Sequence, residues 1–204
     1  IYAYTDLNPR AKECFGLGKK CVFGKGDVSL ILIGDSHALS TITALSESLA
    51  EQNKSLVFYG EASCVTHLGD FYYKKSPRCN EFMEWVMADI SSHKLPIVIV
   101  NSGAYPVGAG YISNPSVGAA PLIEFNNNEY DDYNSKYISS KVNTVCEISK
   151  QRQVYLVRPY PRMQHKVPSY MLKAHALGNA AEYKVDKSHY LKYHDVAFRS
   201  QDLA

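Results

Sequence analysis

A chain of 204 residues can bury one sizeable core. Its 22 Lys and Arg nearly balance 20 Asp and Glu, and the resulting net charge of +2 argues against a nucleic-acid surface or an anionic membrane as partner. Hydrophobic residues at 46% and charged residues at 21% are ordinary for a globular protein. No stretch approaches the ~20 apolar residues of a membrane helix.

Residues 1–27 read as an irregular lead-in, with Asn8-Pro9 and four glycines between Gly16 and Gly26. Val28–Gly34 is an apolar run of strand length, and residues 38–52 follow with helical spacing at Leu39, Ile42, Leu45 and Leu49. Lys54–Gly60 is a second strand. Residues 61–80 form a polar loop, and Glu81–Ile90 is a second helix whose Phe82, Trp85, Val86 and Ile90 should face a sheet. Leu95–Val100 is a third strand, with Pro96 at its mouth, ending at Asn101-Ser102-Gly103. Residues 104–128, rich in Gly, Pro, Ser and Asn, read as a long loop that could wall a site. A helix over 129–150, a strand over Gln153–Arg158 and helices over Val167–Leu177 and Lys187–Leu203 complete the chain. Strand and helix alternate, which predicts an α/β fold: three layers, α/β/α, around a mostly parallel sheet. Residues 28–204 form the domain proper.

Five cysteines are informative by position. Cys14 and Cys21 bracket one short loop and Cys64 and Cys79 another, a spacing that suggests two local disulfides and an oxidising compartment. Zinc is the rival reading, although the chain has no Cys-x-x-Cys pair. Cys146, on an amphipathic helix pattern, is expected to be a buried free thiol unless it pairs outside this sequence.

The stretch with chemical content is Ile33-Gly34-Asp35-Ser36-His37-Ala38. A buried strand stops at a glycine and a helix starts at once. That puts Ser36 at the carboxyl end of a strand and the amino end of a helix, where open α/β sheets bind ligands. Free N–H groups and the helix dipole favour a developing negative charge there. Ser36 is therefore a candidate nucleophile. The plainer alternative is a polar turn with Asp35 or Ser36 as helix cap.

At these residues the chain resembles the SGNH (GDSL-like) hydrolase superfamily, whose first block carries the serine in Gly-Asp-Ser. The form Ile-Gly-Asp-Ser-His-Ala is similar to SGNH domains fused to membrane-bound acyltransferases that O-acetylate bacterial surface polysaccharides, such as lipopolysaccharide O-antigen. The resemblance spans the chain from about Cys14 onward and rests on the Gly34–Ala38 block. It implies a flavodoxin-like SGNH hydrolase fold and a periplasmic domain tethered to the inner membrane through the parent protein. It also implies an acyl donor delivered by a membrane acyltransferase domain, and a polysaccharide acceptor. Ser36 would attack the donor and carry the acyl group. The family's oxyanion donors, a glycine and an asparagine, match Gly60 and Asn101 at the second and third strand ends, although Asn101-Ser102-Gly103 is not the family's Gly-x-Asn-Asp. Asn101 also reads as a strand-ending turn former.

The family's base and its orienting acid come as Asp-x-x-His. The sequence has one, Asp186-Lys187-Ser188-His189, but inside a helical stretch instead of a loop after a strand. The true pair is therefore expected beyond Ala204, in a domain truncated at its carboxyl end and cut from a longer protein, as the start at Ile1 without Met suggests. Asp186 and His189 are the fallback. His37 is a local base or pocket residue. Arg158, Arg162 and His165 follow a strand end and read as solvated or structural.

Sixteen tyrosines against one tryptophan would suit carbohydrate contact, if they are not simply half-buried at the surface. No metal or organic cofactor is required, and the isolated domain is expected to be a monomer. An extracytoplasmic carbohydrate esterase and a non-catalytic glycan-binding module on the same scaffold are the alternative functions.

Overall fold

The structure is a computed structural model that describes residues 8–10, 13–69, 71–73, 78–102, 123–125, 133–161, 167–179 and 184–204. Its centre is a five-stranded sheet. The strands are β1 (Lys20–Gly24), β2 (Asp27–Gly34), β3 (Lys54–Gly60), β5 (Ile97–Val100) and β7 (Val154–Leu156), in the order β1-β3-β2-β5-β7. β2 pairs in parallel with β3 and β5, and β5 in parallel with β7. β4 (Phe71–Tyr73) and β6 (Ile123–Phe125) form a separate antiparallel ribbon.

Successive residues of each strand point to opposite faces, and both faces are covered. On one side Leu32, Leu56, Phe58, Val98 and Val100 pack against Ala38 and Ile42 of α1 (Ser36–Ala50). On the other, Ile31, Ile33, Tyr59, Ile97 and Ile99 meet Phe82, Val86 and Ile90 of α2 (Arg78–Ile90). Tyr137 and Ile148 of α3 (Tyr133–Ser149) join that second layer. This is the predicted three-layer α/β/α fold with a mostly parallel sheet. α4 (Val167–Ala176), α5 (Lys187–Tyr193) and α6 (Asp195–Asp202) follow β7, with α6 packed on α3. No helix among the described residues is long and apolar enough to cross a membrane.

The lead-in needs correction. Within residues 1–27, expected to be irregular, lies β1, which pairs antiparallel with β3 from Lys20↔Tyr59 to Gly24↔Ser55. Its partner is over thirty residues away, so nothing local announces it. The expected disulfides both form, Cys14–Cys21 and Cys64–Cys79, with Cα–Cα distances of 5.5 and 5.2 Å. Cys146 is the second correction: it is a free thiol, but exposed. The buried stripe of α3 runs through Tyr137, Lys141, Thr144, Val145 and Ile148. At 100° per residue, position 146 falls outside that stripe. The last predicted helix is broken at His194 into α5 and α6. Of the long loop expected over 104–128, only β6 lies among the described residues. Arg162 and His165 lie outside them.

Candidate active site

β2 delivers its apolar run to the carboxyl edge of the sheet, where the register sets Gly34 opposite Gly60 of β3 and Val100 of β5. Three chain exits therefore meet at one edge: Asp35-Ser36, Glu61 and Asn101. Gly34 is dictated by the close approach of β5. A Cβ built there would lie 1.8 Å from the Val100 carbonyl oxygen and 2.9 Å from the Ala38 Cβ. Gly60 is dictated by packing too, since a Cβ would sit 2.3 Å from the Phe58 ring and 2.8 Å from Phe15.

Asp35 is the N-cap of α1, its Oδ1 accepting a hydrogen bond from the His37 N–H at 2.8 Å. Its other oxygen accepts from the Ser102 N–H at 2.7 Å. One carboxylate thus ties the turn before α1 to the exit of β5. Asp35 is 1% exposed. Burial raises its pKa, against the lowering effect of the bonds from Ser102 and His37. Ser36 opens the first turn of α1 and is exposed. It carries its hydroxyl at the positive end of a fifteen-residue helix.

Asn101 lies at this edge, with its carboxamide engaged. Its Oδ1 accepts from the Thr66 N–H at 3.1 Å and its Nδ2 donates to the Cys64 carbonyl at 3.4 Å. The side chain so clamps the loop after β3, which Cys64–Cys79 also closes.

Beneath that loop lies a polar cluster that sequence reasoning missed. Lys141 of α3, 5% exposed, donates from Nζ to the Thr66 carbonyl at 2.7 Å. Burial lowers its pKa to about 8, against the opposing pull of Asp35. His67, 1% exposed, rests 5.1 Å from the Tyr137 ring, and burial and the Lys141 charge hold its pKa well down. Tyr137 is pushed up by burial and by Asp35. The signal was available: a lysine on the apolar stripe of an amphipathic helix marks a buried cation.

The other predicted residues gather at a second corner. The His37 imidazole is stacked on Tyr160, centroids 5.7 Å apart and planes 6° from parallel. Tyr160 follows β7 and was not singled out by the sequence. His194, 4% exposed between α5 and α6, lies against the Tyr160 backbone. Burial, with the charges of His37 and His189, depresses it to about 4, against the raising effect of the Tyr160 backbone. Asp186 is the N-cap of α5, accepting from the His189 N–H at 3.0 Å and from the Ser188 hydroxyl. Those bonds lower its pKa. Its carboxylate is thus engaged with backbone and hydroxyl, and the His189 ring stacks on Tyr193 at 6.0 Å. Arg158 pairs with Asp202 at 2.5 Å, in accord with a structural role. Among the described residues no group of three or more His, Cys, Asp or Glu is placed to hold a metal.

A family model described as "SGNH domain (fused to AT3 domains)" matches residues 5–202. The chain belongs to that family. Among solved structures, this SGNH domain is similar to the periplasmic domain of a lipopolysaccharide acetyltransferase from Salmonella ser. Paratyphi A. The TM-score is 0.56 at 12% identity, over 95% of this chain and 75% of that chain. At such identity the likeness speaks for the fold. No curated protein sequence matches this chain.

Proposed function

We propose that this domain is an O-acetyltransferase acting on hydroxyls of a bacterial cell-surface polysaccharide, with Ser36 as nucleophile. One observation carries the reading: an exposed serine stands on the first turn of a helix at the carboxyl edge of a parallel sheet, its turn locked by a buried aspartate. Membership of a family fused to AT3 domains supports acyl transfer and a membrane acyltransferase partner in the parent chain. Likeness to the periplasmic domain of a lipopolysaccharide acetyltransferase supports acetyl as the group and a surface polysaccharide as acceptor. Two disulfides support a periplasmic setting.

In the first step Ser36 Oγ attacks the acetyl carbonyl while a histidine takes its proton, and the donor leaves with that proton. An acceptor hydroxyl then attacks the acetyl-serine, giving its proton to the same histidine, which passes it to the departing Ser36 Oγ. The N–H of Ser36 is the first oxyanion donor, with Gly60 and Asn101 as its companions across the edge. Within this chain His189 is the fallback base. The preferred source is a pair supplied beyond Ala204, a reading supported by the engagement of Asp186 as a helix cap.

The test is hydrolysis of 4-nitrophenyl acetate by the wild type, Ser36→Ala and His189→Ala, on this chain and on one extended past Ala204. Ser36→Ala should lose about three orders of magnitude or more of the catalysed rate. A comparable loss on His189→Ala in the present chain identifies the base. Activity only in the extended chain assigns it to the added segment. Ser36-independent hydrolysis would sink the nucleophile assignment.

A further inference from the structure

Tyr160 is 39% exposed although it is fixed from several sides. The imidazole of His37, the residue next to Ser36, stacks on the ring. The His194 side chain lies against its backbone. The preceding residue is pinned by the Tyr190 hydroxyl, which donates to the Pro159 carbonyl at 2.8 Å. Further back, Gln201 Nε2 donates to the Val157 carbonyl at 3.0 Å, and Arg158 pairs with Asp202 while its guanidinium lies 4.9 Å from the Phe198 ring centre. Helices α5 and α6 thus converge on one short segment and hold it against His37, the residue next to Ser36.

A tyrosine gripped this firmly by its main chain and one neighbouring ring, yet left two-fifths exposed, is not serving the core. Burial would satisfy it better, and mobility would order it less. Flat apolar rings beside a reacting group suit one partner in particular. A pyranose presents a face of C–H bonds to an aromatic ring while its hydroxyls stay in water or reach protein polar groups. A Tyr ring supplies that platform at low entropic cost, having two side-chain torsions to fix.

We infer that the stacked pair His37–Tyr160 is the acceptor subsite, on which a pyranose ring of the polysaccharide rests with one hydroxyl near Ser36. This rests on the reading of Ser36 as the acyl-transfer nucleophile. It also gives α5 and α6 a function, as the mounting of the platform.

The experiment is saturation-transfer NMR with methyl β-D-galactopyranoside and methyl β-D-glucopyranoside as probes, on the full chain and on Ser36→Ala, Tyr160→Ala and Tyr160→Phe, with thermal melts alongside. Wild type and Ser36→Ala should bind at least one sugar alike through its ring protons. Tyr160→Ala should weaken binding by about 5-fold or more, and Tyr160→Phe should retain it. If Tyr160→Ala melts with the wild type and binds as well, the platform is refuted. The same follows if neither sugar receives saturation from the wild type. If the sugars bind through Tyr160 but no Ser36-dependent hydrolysis is found, the subsite stands and the enzyme reading falls.

Discussion

The Ser36 corner and the Tyr160 corner lie at the same end of the molecule but are built in different ways. The first is made by strands. Gly34, Gly60 and Val100 are fixed by ladder register, and Asp35 binds two loops with one buried carboxylate. The second is made by side chains of late, short helices reaching back to the segment after β7. Register is cooperative and costly to disturb, whereas single surface contacts contribute little each. The Ser36 corner should therefore fail as a unit, and the other should loosen piecemeal.

The largest expected effect is Gly34→Ala. The added methyl meets the backbone carbonyl of Val100, which cannot swing away as a flexible side chain would. The expected loss is about 3 kcal/mol or more, read as a lowered melting temperature, with any 4-nitrophenyl acetate hydrolysis lost in parallel. A variant that melts like the wild type would show that β2 and β5 can part at this edge, and the contrast between the corners would dissolve.

Lys141→Met comes next. The lysine's folded pKa, about 8, lies below its ordinary 10.5, so between those values the unfolded chain holds the proton more tightly. Stability should therefore rise with pH across that window in the wild type, by an amount on the order of 3 kcal/mol at most. Below pH 8 the cost of the buried charge is fully present. Lys141→Met should flatten that rise in chemical denaturation measured at pH 7.5 and pH 10. An unchanged slope would mean that Lys141 is already neutral or reaches water.

The smallest effect belongs to Asp186→Ala. It removes the N-cap of α5, fully at the surface, and should lower the melting temperature by on the order of 2 °C. Asp186→Ser, which can still cap, should recover it. A much larger loss of hydrolysis than of stability would instead show Asp186 orienting a catalytic histidine.

Where the two corners differ in construction, they also differ in how far the sequence announces them. The β2–α1 turn is local. An apolar run, a glycine and a capping aspartate succeed one another, so strand, turn and helix could be read in eleven residues. The parallel sheet followed from alternation alone. β1 could not be read this way, because Lys20–Gly24 is short, carries glycine and lysine, and is a strand only by pairing with β3. Cys146 was misplaced because an amphipathic pattern fixes a stripe only to within a residue or so, and the stripe chose Thr144, Val145 and Ile148. Tyr160 was invisible among sixteen tyrosines, since its standing comes from partners 30 or more residues away. The Asp-x-x-His pattern at 186–189 was legible as spacing, and the same spacing serves a helix cap.

The double closure of the loop after β3 bears on when the domain matures. Asn101 holds Cys64 and Thr66 by two hydrogen bonds, and the Cys64–Cys79 bridge holds the same loop to the start of α2. A newly made chain with both thiols free has the hydrogen bonds alone, so its carboxyl edge is looser than its core. Oxidation of this pair then acts as a checkpoint: the frame around Ser36 sets only once the chain has met an oxidising compartment.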